Sequence, residues 1–169
     1  MSRLYEHIDA IESAAADPRQ GLPEPVFRLV TRLTPMANVD LLIRNDRRET
    51  LLTWRHDDLY RGWHVPGGII RYKERMDTRV AEVARTELGA EVAIKGAPAA
   101  INEIIHLDRK ARGHFIAFLF ECELVTAPDE KLQYRGGGPE HGQWAWHAAY
   151  PADMIASHEI YRRFLDPRT

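Results

Sequence analysis

The chain has 169 residues, enough for one domain whose core needs no disulfide or metal staple. Its 23 lysines and arginines against 25 aspartates and glutamates leave a net charge of −2, which argues against a generic polyanion-binding surface and leaves room for a local basic site. The single cysteine, Cys122, rules out an internal disulfide and fits a reducing compartment, while no apolar run approaches the roughly 18 residues that cross a bilayer and the charged N-terminus lacks a secretory core. The expectation is a cytoplasmic domain that is either a small-molecule enzyme or a binding module, with no nucleic acid and no membrane among its partners.

In chain order, Leu4, Ile8, Ile11 and Ala15 recur at helical spacing, so residues 2–15 read as an amphipathic helix that Pro18 and Gly21-Leu22-Pro23 break. Residues 24–33 read as a second helix, entered just after Pro23. From Asn38 the period changes. Val39, Leu41, Leu42 and Ile43 make a strand, Asn45–Arg48 a charged turn, and Leu51, Leu52 and Trp54 its hairpin partner. Trp63-His64-Val65 is a short strand ending at Pro66-Gly67-Gly68, and Ile69-Ile70 another short apolar piece. Residues 77–88 read as a helix, with Asp77 able to cap it and Gly89 placed to end it. Ile94, residues 99–107 and residues 114–125 read as strands, the last as the clearest in the chain. Trp144-Ala145-Trp146 is a final strand, and residues 151–157 and 158–165 form terminal helical segments. Two helices, strands, a helix, strands and a terminal helix make a mixed α/β sheet domain with helices packed on it.

The chemistry concentrates in residues 63–89, WHVPGGIIRYKERMDTRVAEVARTELG. Val80, Val83, Ala84 and Glu87 follow i, i+3, i+4, i+7 and share a helix face, so Glu87 lies on or beside the apolar seam. A carboxylate there must be paired, protonated or bound to a metal. By spacing alone, an ion pair with an arginine and a metal ligand are both open. The two glycines before the helix let the backbone turn sharply and approach a ligand closely.

Together these pieces resemble the signature of the Nudix hydrolases, which cleave a nucleoside diphosphate linked to another group. Gly68, Glu74, Glu87, Gly89 and Ala90 stand at the signature's offsets, with Ala84 in its inner hydrophobic position. Glu82 replaces the box arginine, and Val83 and Thr86 replace two of its three helical glutamates. A similarly stripped box is found in the GDP-mannose mannosyl hydrolases, which resemble this chain over roughly residues 36–165. The resemblance implies a Nudix fold, an α/β/α sandwich with a mixed β-sheet, in a domain of residues 36–169. Residues 1–35 would form an N-terminal helical extension. It implies one Mg²⁺, with Mn²⁺ an alternative, held by Glu87, the Gly67 carbonyl and Glu140. His141 would be the general base, and Arg55, in Leu-Leu-Thr-Trp-Arg, would contact phosphate. Asp40 and His106 would bind substrate. A family arginine is also missing where Ile69 stands, so Arg71, Arg79 and Arg85 are candidate substitutes, with Arg71 placed on the substrate. Water would attack the sugar's anomeric carbon, giving a nucleoside diphosphate and a free sugar. The resembled enzymes are homodimers.

The chemistry of the residues agrees with these roles. An all-oxygen donor set suits Mg²⁺, which offsets charge on a departing diphosphate. Arginine makes bidentate contacts to phosphate, and histidine exchanges protons near neutral pH. Plainer readings stand beside them. Glu74 reads as a salt bridge to the box helix, His106 and His114 as strand-end structure, and Arg109–Arg112 as a solvated basic loop. Trp144 and Trp146, on one strand face, read as core or dimer contacts. The glycines at 136–138 mark a mobile loop that could carry Glu140 and His141 into place when substrate binds. The enzymatic alternative is attack at phosphorus. The non-enzymatic one is a nucleotide-binding Nudix module.

Overall fold

A computed structural model describes residues 3–166. Helices α1 (Arg3–Ala15) and α2 (Glu24–Leu33) come first. Strands β1 (Met36–Ile43), β2 (Thr50–His56), β3 (Arg61–His64) and β4 (Gly67–Ile69) follow. Helix α3 (Met76–Val83) continues into a π-helical turn, Ala84–Leu88. Strands β5 (Val92–Ile94), β6 (Ala100–Ile105), β7 (His114–Leu124) and β8 (Trp144–His147) come next, and the chain closes on a 3₁₀ segment, Ala156–Tyr161, and α4 (Arg162–Leu165).

The expected hairpin of the first two strands does not form as a two-stranded unit. The turn is there, with the Arg48 amide donating to the Asn45 carbonyl at 2.9 Å. Beyond it the strands part into different sheets. β1 pairs parallel with β7 and antiparallel with β4, whereas β2 lies between β3 and β8. The far edge of β7 is shared by β6 and β5, both antiparallel, which makes this sheet mixed. The reason for the parting is burial on both faces. Leu41 and Ile43 enter one core with Leu51, Val80, Val83, Leu88 and Trp144. Leu42, between them, enters the other with Leu52, Trp54, Trp63, Leu119 and Tyr161. Successive strand residues point to opposite faces, so β1 runs through the middle of the molecule with α3 on one side and the C-terminal segment on the other. Trp144 is buried in the first core and Trp146 packs against it, so both tryptophans are core residues.

Two local expectations are corrected. Helix α3 begins one residue before Asp77, and Asp77 does not cap it: its carboxylate pairs with Arg75 at 2.8 Å. The terminal helical content is shorter than expected, since residues 151–155 are not helical. Helix α1 buries none of its residues and α2 buries only Thr31, so the N-terminal pair lies outside both cores. Among the described residues no helix is long and apolar enough to cross a membrane.

Candidate active site

The site is built where the glycine turn folds back over β1. Gly67 pairs with Asp40 and Gly68 with Val39. A Cβ on Gly67 would stand 2.1 Å from Asp40 Oδ1, and one on Gly68 2.9 Å from a Val83 methyl. Close approach therefore requires glycine at both positions. Asp40 is 1% exposed. The Tyr161 hydroxyl donates to its Oδ2 and Asn38 Nδ2 to its Oδ1, the latter at 2.9 Å. Burial pushes the Asp40 carboxyl up to about 7, against the opposing pull of the Tyr161 hydrogen bond.

Glu87 falls in the π-helical turn, which ends at Gly89 in the left-handed region at φ 61°. π-turns inside helices are frequent at functional sites because the extra residue re-aims side chains. Thr53 Oγ1 donates to Glu87 Oε2 at 3.0 Å, and the Gly67 amide approaches Oε1 at 3.4 Å. The arginine partner that helix spacing left open is not found. Among the described residues, the ion-pair contact of Glu87 is with His64, whose Nε2 lies 3.4 Å from Oε2. His64 Nδ1 donates to the Thr53 carbonyl at 2.8 Å, so a neutral ring turns a bare Nε2 toward the carboxylate. That contact becomes attractive when Nε2 carries a proton or a cation lies beside Glu87.

This arrangement decides which metal sites fit. Among the described residues no group of three or more His, Cys, Asp or Glu is placed to hold an ion, so a multi-ion carboxylate cluster does not fit. Glu87 is the candidate anchor for a single hard cation: it is partly exposed, has no Arg or Lys ion-pair partner among the described residues, and lies beside the Gly67 backbone. Glu140 is not brought to it. Glu140 is exposed, and its neighbour His141 accepts from the His56 amide at 3.1 Å through Nδ1. Thr53 and His56 are three strand residues apart, roughly 10 Å along β2. With Nδ1 occupied, a neutral His141 carries its proton on Nε2 and presents a donor. In this geometry His141 is therefore not a ready base.

A cleft of about 250 Å³ opens beside the glycine turn, lined among others by Asp40, Arg55, His64, Gly67, His106 and Arg112. Arg55 Nε is bonded to Asp57 Oδ2 at 2.6 Å, and its guanidinium lies over the Tyr60 ring. His106 also faces the cleft, its Nε2 buried without a hydrogen-bond partner among the described residues. Burial and the charge of Arg109 lower the His106 pKa. The structure thus brings Asp40, Arg55, Gly67, His106 and Glu87 to one region. Arg71 is elsewhere: it lines a separate, mainly apolar cavity of about 580 Å³ beside α2, where its Nη1 reaches the Arg19 carbonyl at 3.5 Å. His114 pairs at the surface with Glu103 at 3.0 Å.

The 3₁₀ segment and the basic loop supply residues that sequence reasoning missed. His158 is buried in the cleft wall and accepts the Val65 amide at 3.1 Å through Nδ1. Tyr161, three residues on, holds Asp40. Arg112, expected in a solvated loop, lines the cleft instead. For Arg112 the available signal was the cluster of basic residues; for His158 and Tyr161 nothing short of the tertiary closure reveals them.

The NUDIX domain family matches residues 34–165 of the chain. The chain belongs to the Nudix family. Among solved structures similar to it is a MutT protein from Methanosarcina mazei Go1, at 22% identity over 78% of this chain and 91% of that one, with a TM-score of 0.58. A MutT NUDIX hydrolase from Burkholderia pseudomallei is 19% identical over 78% and 98% of the two chains, with a TM-score of 0.60. A UDP-X diphosphatase is 16% identical, with a TM-score of 0.56, and the match covers 95% of this chain and 76% of that one. At these identities the likeness is one of fold. Within the Nudix box, Glu74 pairs with Arg79, and Arg85 pairs with Glu82 on the surface. Of the three candidate substitutes for the missing arginines, only Arg79 is built into the box.

Proposed function

We propose that this Nudix protein hydrolyses a nucleoside diphosphate sugar of the GDP-mannose kind, with a single Mg²⁺ or Mn²⁺ and with water attacking the sugar's anomeric carbon. The observation that carries the proposal is the isolation of Glu87. Of the three signature glutamates of the box helix it is the one present, it has no arginine or lysine partner among the described residues, and it stands by the glycine turn next to a cleft bearing Arg55. One ion rather than several fits the loss of two signature glutamates, at Val83 and Thr86. When bound, the ion neutralises charge that develops on a departing diphosphate.

The chain's own residues do the rest. Arg55 offers its remaining guanidinium nitrogens to a phosphate oxygen while Asp57 fixes its direction. Asp40 and Asn38 keep the floor of the cleft in place beneath Gly67. His141 takes a proton from water once the loop holding it turns its ring off the His56 amide. Gly136, Gly137 and Gly142, at φ 116°, 84° and 86°, give that loop its freedom. Glu140 travels with it as the ion's further ligand. In this reading residues 36–169 form the catalytic unit and residues 1–35 the extension.

Hydrolysis in ¹⁸O-water with Mg²⁺ and a panel of nucleotide sugars tests this. Nucleoside diphosphate plus ¹⁸O-labelled sugar is the expected result. Nucleoside monophosphate plus sugar phosphate, with the label on phosphate, moves the reaction to phosphorus. Thermal stabilisation by nucleotide with no product identifies a binding module.

A further inference from the structure

The cleft is lined by a second arginine, Arg112, that the reading above does not use. Arg112 sits in the loop between β6 and β7, with its backbone in the left-handed region at φ 54°. Non-glycine residues occupy that region at a cost in conformational energy, and such strain gathers at sites where a side chain is held for a purpose. Arg112 lines the cleft. Its Nε is buried with no hydrogen-bond partner among the described residues, and the guanidinium lies 5.9 Å from the Phe27 ring of α2. Burying an arginine N–H without an acceptor is costly, so an acceptor belongs there.

The neighbours do not provide one. Asp57 is bonded to Arg55 through Oδ2 and to the Leu59 and Tyr60 amides through Oδ1. Arg109 donates to the Tyr60 hydroxyl at 2.6 Å, with its guanidinium 4.5 Å from that ring. His106 Nε2, on the same wall, is likewise buried and unpartnered among the described residues. Asp57 and Asp108 are the carboxylates coupled to this cluster, against three guanidinium groups. The excess is positive and faces the cleft.

We propose that Arg112, together with Arg55 and His106, forms an anion subsite that takes a phosphate group of the substrate. It rests on the nucleotide-sugar reading in the nature of that substrate. The subsite supplies from the β6–β7 loop the guanidinium that Ile69 and Glu82 no longer supply from the glycine turn and the box. The chain thus reads the phosphate from the β6–β7 side of the cleft, and Phe27 ties this wall to α2.

The test is a calorimetric titration with inorganic pyrophosphate in EDTA, so that no divalent ion takes part. The wild-type chain binds. Arg112→Gln weakens binding about tenfold or more, the loss of a charge-assisted hydrogen bond. Arg112→Lys recovers part of it, and Arg47→Gln, on the β1–β2 turn, leaves it unchanged. Absence of wild-type binding, or equal affinity in Arg112→Gln, overturns the subsite. If the variants do not fold, phenylglyoxal labelling of the wild type decides. Protection of Arg112 by pyrophosphate supports the subsite, and labelling unaffected by pyrophosphate overturns it. A chain that binds pyrophosphate through Arg112 and hydrolyses no nucleotide sugar keeps the subsite and loses the enzymatic reading. One that hydrolyses nucleotide sugars with the same KM in wild type and Arg112→Gln, and binds pyrophosphate equally in both, keeps the reading and loses the subsite.

Discussion

Arg79 grips Glu74 with both prongs of its guanidinium, Nε to Oε2 and Nη2 to Oε1, each at 2.8 Å. The two side chains are only 9% and 14% exposed, and the Arg71 amide donates to the same Glu74 oxygen at 2.8 Å. The pair fastens the loop after the glycine turn to the first turns of α3, which fixes Gly67 relative to Glu87. A buried charge stripped of its partner is left without compensation, so Glu74→Ala is expected to lower stability by about 3–5 kcal/mol. Urea denaturation measures it. A loss under 1 kcal/mol would mean that water or another carboxylate reaches Arg79.

The glycine turn allows a graded test. At Gly67 an added Cβ meets the Asp40 carboxylate at 2.1 Å and the Val39 carbonyl at 2.9 Å. At Gly68 it meets two side chains, a Val83 methyl at 2.9 Å and Arg79 Cδ at 3.4 Å. Side-chain methyls shift more readily than backbone and a doubly hydrogen-bonded carboxylate. Gly68→Ala is expected to cost about 1–3 kcal/mol, the usual range for overpacking, and Gly67→Ala more. Equal midpoints for the two variants in thermal melts would show that the Asp40 carboxylate yields freely.

Much of this was legible in the sequence. Helix α2 follows from apolar residues at helical spacing, and strand β7 from its continuous apolar run from Phe115 to Phe120. The Glu74 pairing with the box helix is likewise visible from spacing. What hid was anything fixed by distant parts of the chain. β1 reads as half of a hairpin because its turn is local, yet it pairs with β7, where Met36 faces Phe115, about eighty residues away. Arg112 reads as solvated because basic loops usually are. Only the packing of α2 and the cleft wall turns it inward. Arg71 errs the other way: it is close in sequence to the glycine turn but on its far side.

Two buried groups pull stability in opposite directions with pH. Burial raises the Asp40 carboxyl to about 7, so the native state holds a proton that the unfolded chain releases from about pH 4 upward. Its contribution is full below pH 4 and is lost as pH rises to about 7. Burial, with His64 and Arg55 adding to it, holds His158 far below its ordinary pKa. Its contribution is therefore full above about 6.5 and is lost as pH falls below that value. Asp40→Asn is expected to remove the first effect and leave the second, so the variant loses more stability than wild type between pH 8 and pH 5. His158→Asn, which keeps an acceptor for the Val65 amide, should lose less. Denaturant titrations at both pH values check this, and parallel curves for all three proteins would contradict it.

The catalytic assignment turns on His141 and Glu87 acting differently. General-base catalysis contributes about 10²–10⁴-fold, so His141→Ala is expected to lower kcat by that factor with KM little changed. Glu87 lies partly exposed between Thr53 and the Gly67 amide, where glutamine preserves the shape and removes the charge. Glu87→Gln is expected to raise the Mg²⁺ concentration needed for half-maximal rate by tenfold or more, because a hard cation binds a carboxylate far better than an amide. The two variants separate because one removes a proton acceptor and the other an ion's anchor. His141→Ala with unchanged kcat would remove that residue from the chemistry. An unchanged Mg²⁺ requirement in Glu87→Gln would place the ion elsewhere, and would leave the unpaired charge of Glu87 to be answered by His64 at 3.4 Å.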